Sequence, residues 1–480
     1  MSTDLALLSG NEATAAIKAG KITARNLVRA TLDRIDAVNP VINAFTLVTH
    51  ERALAEADAV DAALLAGADP GPLAGMTYSV KNLFDLEGEV TLAGSKINRD
   101  DPPAGQDATS VARLKAAGAI CLGATNMGEY AYDFTTINEH YGATRNPRDP
   151  ARSAGGSSGG SGAAIAAGLG AISLGTDTNG SIRVPSSFCG VWGLKPAYGQ
   201  LSRAGAYLFC QSIDTIGPLG RSVTDLAASY DAMNGPDPRD PVCRTAQAVS
   251  VSPMLDSLPE GLRMARLGGY FAEGLSTDMA QCLEAVCTAL GAKETIELPD
   301  PAIARAAAYA ITAAEGGEFH RHRLKMRAAD FDSAARDRFI AGALVPNEWY
   351  LQAQRFRARF RAQMAAIFAC RDVLIAPATP MPAPFLDQMS FIHDGVEMAL
   401  RPNIGLWTQP ITLVGLPVVA APVHLPGRLP LAVQIIGKPG SEAALLRVAR
   451  SLEVSGTCSV PIAAINETGN GDADARLAAQ

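Results

Sequence analysis

The sequence predicts an α/β fold built as one large domain. Helical and extended segments alternate along the chain, and hydrophobic residues make up 48% of its 480 residues against 19% charged ones. This much apolar material supports a large buried core and excludes a disordered chain. Length alone favours two or three domains. Because no low-complexity linker interrupts the interior, we expect a single domain.

Helices and strands alternate through the first half of the chain. Val28, Thr31, Leu32 and Ile35 recur at helical spacing, and Asn39-Pro40 is expected to end that helix. The further segments predicted here, in chain order, are an Ala-rich helix at about 52–65, a buried strand at 75–80 ending at Lys81, a helix at 109–117, a strand at 119–122, a tightly packed helix at 163–168, a short strand near 171–174 and a turn-rich stretch at 175–185.

The second half is predicted to be helical and charged before strands return. The Arg-rich stretch at 355–361 is interpreted as a solvated helix face and not as a binding patch. The remaining predictions are strands at 372–376, 418–423 and 431–436 and a last helix at 441–452. The expected domain, 1–465, comprises N-terminal helices (1–65), a catalytic core (70–245), a helical insertion (254–370) and C-terminal strands with a helix (371–455), followed by a flexible tail (466–480).

Charge and hydropathy exclude several classes of function. The net charge is -7, and no block of five like charges offers a footprint for nucleic acid. The N-terminus lacks the basic start and apolar core of a secretory signal, and the longest apolar run, 411–423, is too short to cross a bilayer. The eight cysteines include no C-x-x-C pair, which suits reduced thiols. We therefore expect a cytoplasmic protein with no membrane and no nucleic-acid partner.

A Gly/Ser cluster at 155–162 is the densest unusual feature. Its simplest interpretation is a flexible linker, but a second Gly-Ser site ending at Ser181 follows shortly afterwards. A phosphate-binding loop would require Lys and then Ser or Thr after its last Gly, and none follows Gly160 or Gly162. What remains is a backbone shaped for close approach, with serine hydroxyl groups presented in a site.

A serine nucleophile needs an adjacent base. The six histidines are scattered, none lies in a Gly-rich or turn-rich motif, and the chain has neither a G-x-S-x-G elbow nor an H-E-x-x-H zinc motif. Lys81 is the leading candidate, because the end of an apolar strand would desolvate its amine and lower its pKa from about 10.4 to about 7 or 8. The alternative is an ordinary lysine that extends its amine to the surface.

These residues together resemble the amidase signature family. The resemblance rests on Lys81, on Gly155-Gly-Ser157-Ser158-Gly-Gly160, on Gly180-Ser181-Ile-Arg183 with its serine 24 positions after Ser157, and on the run from Cys189 to Pro196. It extends over nearly the whole chain to about residue 455. It implies an α/β/α sandwich with a central mixed, mostly parallel sheet covered by helices on both faces.

The resemblance also implies the chemistry. Ser181 would attack the substrate carbonyl, Ser157 would pass its proton to Lys81, and an acyl-enzyme would then be hydrolysed by water, without a cofactor or metal. The backbone N–H groups of Thr178, Asn179, Gly180 and Ser181 would form the oxyanion hole. The Gly156-Ser157 peptide bond would be cis. Ser158, Asp177 and Arg183 would support the site, the last two as an ion pair that fixes the turn.

Within the family, the runs at 175–183, 234–241 and 401–410 are most similar to the carboxybiuret hydrolase subgroup. This implies a small ureido or carbamoyl substrate. Tyr132, Trp407 and Gln409 are the candidates for the substrate pocket, with ordinary packing as the alternative for each.

Other functions stay open at this point. The chain could be the glutamine-hydrolysing subunit of an amidotransferase, a urethane, ester or aryl-acylamide hydrolase, or a degenerate scaffold subunit, although intact Lys81, Ser157 and Ser181 argue against the last. The expected partners are the small substrate, water, and either a second copy of the chain or a small accessory subunit.

Overall fold

The structure, a computed structural model, describes residues 4–243 and 250–465, so the predicted tail at 466–480 lies outside the described residues. The α-helices are α1 (Gly10–Lys18), α2 (Ala24–Ile42), α3 (His50–Leu65), α4 (Thr109–Ala116), α5 (Gly159–Ala166), α6 (Arg183–Cys189), α7 (Val223–Met233), α8 (Thr277–Ala289), α9 (Pro301–Phe319), α10 (Arg321–Arg327), α11 (Ser333–Ala343), α12 (Asn347–Cys370), α13 (Leu400–Asn403), α14 (Gln409–Thr412) and α15 (Glu442–Val454).

The strands are β1 (Phe45–Val48), β2 (Thr77–Lys81), β3 (Ile120–Thr125), β4 (Ile137–Asn138), β5 (Gly142–Ala143), β6 (Arg145–Asn146), β7 (Asp149–Ser153), β8 (Ile172–Asp177), β9 (Trp192–Lys195), β10 (Thr215–Gly220), β11 (Met264–Leu267), β12 (Glu294–Ile296), β13 (Val373–Pro377), β14 (Ser390–His393), β15 (Val396–Ala399), β16 (Val418–Val423) and β17 (Leu431–Gly437). The pairs β4-β5, β6-β7 and β14-β15 form small two-stranded sheets.

The other eleven strands form one mixed sheet, in the order β1-β3-β2-β8-β10-β9-β16-β17-β13-β11-β12. Parallel pairing joins β3, β2 and β8 near one end and β13, β11 and β12 at the other. The six remaining neighbouring pairs within the described residues are antiparallel. The mixed α/β fold is confirmed, whereas the expected parallel majority is wrong. Strands joined by a short connection, such as residues 424–430 between β16 and β17, pair antiparallel, because a parallel pair needs a longer crossover.

Both faces of the sheet are buried under helices. Side chains alternate between the faces along a strand: Ile120 and Leu122 of β3 join a cluster with α2 residues such as Val28, and Cys121 joins another cluster with α4 residues such as Leu114. This arrangement is the expected three-layer sandwich. None of the helices in the described part of the chain is both long and apolar enough to cross a membrane.

Several segment boundaries differ from the prediction. The helix expected to stop at Asn39-Pro40 continues to Ile42, because burial of Val38 and Ile42 outweighs the one hydrogen bond that Pro40 removes. Asn43 then ends α2 in the left-handed conformation. The stretch at 175–185 is only partly a turn, since β8 continues to Asp177 and α6 begins at Arg183.

The predicted helical insertion at 254–370 also contains strands. Its β11 and β12 join the central sheet beside β13, all in parallel. These strands have only four and three residues, too few to show a hydrophobic period. The insertion therefore shares the sheet with the C-terminal strands.

Candidate active site

Parallel pairing of β2 with β8 brings Lys81 beside Thr176. Val80 pairs with Leu174, so the residues that follow each of them emerge at the same edge of the sheet. Lys81 Nζ donates to Thr176 Oγ1 at 2.8 Å and lies 2.7 Å from Ser157 Oγ. The strand end thus supplies an amine whose neighbours are two hydroxyl groups.

Burial changes the acidity of this amine. Lys81 is fully buried, and desolvation lowers its pKa to about 7, although the carboxylates of Asp214 and Asp177 favour the charged form. Near neutral pH a large fraction of Lys81 is therefore uncharged and able to accept a proton.

A second lysine shows that burial alone does not identify the base. Lys195, the last residue of β9, is also fully buried, and desolvation lowers its pKa to about 7. Its Nζ donates to the carbonyl of Pro196 at 3.0 Å, and it has no hydrogen bond to a serine within the described residues. Contact with Ser157 is what distinguishes Lys81.

Ser157 lies in the loop that leads into α5, and it is fully buried. Its peptide bond with Gly156 is cis, as the family resemblance implies. The glycines that follow allow the backbone to approach its neighbours closely: a Cβ on Gly160 would lie 2.5 Å from the carbonyl oxygen of Ala44 and the amide of Asn126. The Gly/Ser cluster is therefore a packed turn and helix start, and not a linker.

Ser181 lies in the turn between β8 and α6 and is 3% exposed. The backbone N–H groups of residues 178–181 donate no hydrogen bond within the described part of the chain, whereas the next N–H, of Ile182, donates to Asp177. Four donors thus remain free beside the Ser181 hydroxyl. No hydrogen bond links Ser181 to Ser157 in the described structure.

Positive φ in this turn falls on Gly180, at 139°, and not on Asn179. Asn179 therefore requires no left-handed backbone. The Thr178 side chain fixes the start of the turn by donating to Asp214 at 2.6 Å.

Asp177 and Arg183 form the expected ion pair. Arg183 Nε and Nη2 each lie 2.9 Å from a carboxylate oxygen of Asp177, and both side chains are fully buried. Burial by itself would raise the pKa of Asp177, but the Arg183 charge outweighs burial and holds it below its ordinary value. Ser158 joins the same strand end, since its Oγ accepts from the Thr176 N–H at 3.3 Å.

A narrow cavity opens beside Ser181. It contains two of the three predicted pocket residues, Tyr132 and Gln409. Its lining is Ala131, Tyr132, Asp133, Phe134, Thr178, Asn179, Ser181, Phe209, Tyr309, Arg338, Arg401, Pro402 and Gln409.

The expectation for Trp407 is wrong. Its side chain is fully buried in the core, where the indole N–H donates to the carbonyl of Tyr270 at 3.1 Å, and it does not line the cavity. Tyr132 packs against Phe209, with ring centroids 4.5 Å apart, and its buried hydroxyl has no partner within the described residues.

The sequence reasoning missed three residues of this site. Thr176 lies inside the motif that precedes Ser181, so a signal existed, but its contact with Lys81 depends on strand pairing. Arg401 lies in the run at 401–410, which carries the resemblance to the subgroup. Arg338 lies on α11 with no local motif, and its Nη1 donates to the carbonyl of Tyr132 at 2.9 Å.

A larger cavity, of about 850 Å³, shares Phe209 with the narrow one in its lining. Its lining includes Arg203, Glu315 and Tyr350 and none of Lys81, Ser157 or Ser181. Of the two cavities, the narrower one is therefore the one that contains Ser181.

Comparisons with known proteins agree with this geometry. The sequence profile of the amidase family matches residues 26–446. The chain is 52% identical over 443 residues to the 1-carboxybiuret hydrolase subunit named AtzE of Pseudomonas sp. (strain ADP), covering 92% of this chain and 97% of the relative. It is 36% identical over 479 residues to a glutamyl-tRNA(Gln) amidotransferase subunit of Carboxydothermus hydrogenoformans, covering 94% and 97%.

Among solved structures, an s-triazine catabolic enzyme described with a vestigial protein complex superposes with a TM-score of 0.93 at 50% identity, covering 95% of this chain and 100% of that one. A 6-aminohexanoate cyclic dimer hydrolase superposes with a TM-score of 0.83 at 27% identity, covering 97% and 99%. The chain belongs to the amidase signature family and is a hydrolase of amide C–N bonds.

Proposed function

We propose that the chain hydrolyses a C–N bond of a small ureido compound bearing a carboxylate, by means of an acyl-enzyme on Ser181. The observation that carries this proposal is the contact between the buried amine of Lys81 and the hydroxyl of Ser157, at the strand edge from which the Ser181 turn begins. A lysine that is uncharged near neutral pH replaces the histidine of other serine hydrolases.

The first step is a proton transfer through Ser157. Neutral Lys81 takes the proton of the Ser157 hydroxyl, and Ser157 takes the proton of Ser181 as the Ser181 oxygen bonds to the substrate carbonyl carbon. The carbonyl π electrons move to oxygen. The free N–H groups of residues 178–181 stabilise that oxyanion.

Collapse of the intermediate breaks the C–N bond. The carbonyl reforms, and the proton on Lys81 returns through Ser157 to the leaving nitrogen, which departs as an amine or as ammonia. Water then attacks the acyl or carbamoyl ester of Ser181, its proton following the same path, and the product acid leaves. Lys81 and both serines are regenerated.

Two guanidinium groups in the cavity favour an anionic substrate. Arg338 and Arg401 both line it, and neither forms an ion pair within the described residues. Guanidinium groups are well suited to bind carboxylates. The relative named as a 1-carboxybiuret hydrolase supports the same substrate class, a small ureido acid.

The second candidate is glutamine hydrolysis, which is supported by the 36% identity to a glutamyl-tRNA(Gln) amidotransferase subunit. Glutamine carries an ammonium group that needs a carboxylate partner. Asp133 is the acidic residue of the cavity, and its oxygens already accept from the Thr135 hydroxyl at 2.8 and 2.9 Å and from the Phe134 N–H at 2.8 Å. The two arginines would bind the carboxylate of glutamine as well as that of a ureido acid, so the ammonium group is what separates the two substrates, and this candidate ranks second.

A substrate panel tests the proposal. Release of amine or ammonia is measured for a ureido acid, the same urea without its carboxylate, a carbamate, an ester, an anilide and glutamine. We expect the highest kcat/KM for the ureido acid and a loss of at least about 10³-fold in kcat for Ser181→Ala. Turnover of glutamine alone, or full activity in Ser181→Ala, would contradict it.

We also infer that the protein is cytoplasmic and that it assembles, either with a second copy or with a small accessory subunit. All eight cysteines are unpaired, and only Cys370 is exposed, which suits a reducing compartment. The similar s-triazine enzyme is described with a protein complex. Light scattering measures the mass of the purified protein in solution. A monomer that is fully active without a partner would overturn the proposed assembly.

A further inference from the structure

Two amide side chains on the wall of the Ser181 cavity are held in opposite orientations. Asn179 Nδ2 donates to Thr312 Oγ1 at 3.2 Å, and the Thr312 hydroxyl donates in turn to the carbonyl of Ala308 at 2.9 Å. Because that hydroxyl proton is used, the Thr312 oxygen acts as the acceptor, and the Asn179 amide is fixed with its NH₂ group toward α9.

This orientation leaves the carbonyl end of Asn179 free. Its Oδ1 is buried and has no hydrogen-bond partner in the described part of the chain, and Asn179 lines the same cavity as Ser181. A buried acceptor without a partner is unfavourable, and it gains most from a ligand that brings an N–H group.

Gln409 is held the other way. Its Oε1 accepts from Arg305 Nε at 2.9 Å. Arginine has only donors, so this bond fixes which end of the amide is oxygen. Arg305 is itself anchored, since its Nη2 donates to Asn403 Oδ1 at 2.6 Å and to the carbonyl of Pro402 at 3.0 Å. The Nε2 group of Gln409 has no hydrogen bond within the described residues and is the free end, a donor.

The cavity therefore presents one fixed acceptor and one fixed donor. A ureido group attached next to the scissile C–N bond has the complementary pair. Its N–H can donate to Asn179, and its C=O can accept from Gln409. A simple amide lacks that second N–H. We propose that Asn179 and Gln409 are specificity-determining residues that select a ureido group next to the scissile bond. This inference rests on the proposed function and adds a recognition element to it.

The test compares two substrates that differ at one atom. One is the ureido acid, and the other is its analogue in which the non-scissile –NH– is replaced by –CH₂–. For each substrate, kcat/KM of a variant is divided by that of the wild type, so that differences in intrinsic reactivity cancel. The variants are Asn179→Ala, which removes the acceptor, and Gln409→Met, which removes the donor at similar volume. Gln352→Met, on the exposed face of α12, is the matched control.

For Asn179→Ala we expect the loss in kcat/KM to be at least about tenfold greater for the ureido acid than for the methylene analogue, since any effect on the oxyanion hole acts on both substrates alike. Gln409→Met is expected to lower kcat/KM for both substrates, because both keep the carbonyl group that the Gln409 donor would bind. The variant should raise KM more than it lowers kcat. Turnover of the methylene analogue also shows that each variant is folded.

Equal losses on the two substrates in Asn179→Ala would overturn the inference while leaving the hydrolase function intact. An unchanged kcat/KM for the ureido acid would do the same. A wild-type enzyme that cleaves neither substrate would overturn both proposals.

Discussion

Lys81 has hydroxyl groups on two sides, and this determines what its amine can do. An uncharged amine has two N–H donors and one lone pair. Donation to Thr176 uses one N–H, and we infer that the lone pair faces Ser157 Oγ, 2.7 Å away, when the amine accepts its proton. We therefore regard Thr176 as a positioning residue for the proton relay.

The pH dependence follows from the lowered pKa of Lys81. Below about pH 7 the amine is protonated and has no lone pair to accept the Ser157 proton, so kcat/KM should fall tenfold per pH unit on the acidic side and level off above pH 7. The measurement is a pH profile of kcat/KM with a substrate that does not titrate between pH 5 and 9. A flat acidic limb, or activity that increases on acidification, would argue against Lys81 as the base.

Replacing Thr176 tests its positioning role. In Thr176→Val the amine loses an acceptor at nearly constant volume, so we expect kcat to fall roughly tenfold with little change in KM. The apparent pKa in the pH profile should also decrease, because the protonated amine loses a hydrogen bond. Thr176→Ser keeps the hydroxyl and should restore both values. A uniform loss with an unshifted pH profile would indicate a purely structural role.

At the scale of elements, the start of α5 positions Ser157. Gly160 approaches β1 and the end of β3 so closely that a methyl group would contact the backbone of Ala44 and Asn126 at 2.5 Å. The element is therefore held against the sheet by backbone contacts, which explains how a Gly-rich segment can hold Ser157 in a fixed position.

Gly160→Ala should destabilise the fold and displace Ser157. We expect a loss of about 2 kcal/mol or more in the free energy of unfolding, measured by denaturant titration, together with a lower kcat. Gly105→Ala is the matched control, since its Cβ would meet no atom within 4 Å. If the two variants have the same free energy of unfolding, the backbone around Gly160 accommodates the methyl group without a loss of stability.

Local sequence predicted elements well where a motif or a period was present. The strand before Lys81, the helix after residue 109 and the buried strand after it follow their predicted boundaries within a few residues. Trp407 lies in the core and not in the pocket, and sequence alone does not separate the two, because a buried aromatic residue and a pocket aromatic residue have the same sequence signature. The contacts of Arg338 with Tyr132 join residues 206 positions apart, and no local pattern reports them.

At the scale of the whole molecule, distant segments share one sheet. In the strand order of the sheet, β16 and β17 from the C-terminal part lie in the middle. The strands that carry Lys81 and Asp177 lie on one side of them, and β11 and β12 from the insertion lie on the other. The short strands β11 and β12 are stabilised by pairing with each other and with β13. Because this pairing leaves no local pattern, the sequence predicts a helical insertion without strands. We propose that residues 1–465 form a single domain.

A fragment of residues 1–243 tests that proposal. It would leave β9 without its antiparallel partner β16 and would expose the buried edge of the sheet. We expect the fragment to aggregate or to lack a cooperative thermal transition, in contrast to the full chain. A fragment that unfolds cooperatively with native-like circular dichroism would show an independent N-terminal domain.

Mass spectrometry of the protein, quenched with acid during turnover of a slow substrate, tests whether Ser181 forms the acyl-enzyme. We expect the added mass of the acyl or carbamoyl group on the peptide that contains Ser181, and no adduct in Ser181→Ala. An adduct on Ser157, or turnover by Ser181→Ala at the wild-type rate, would contradict it.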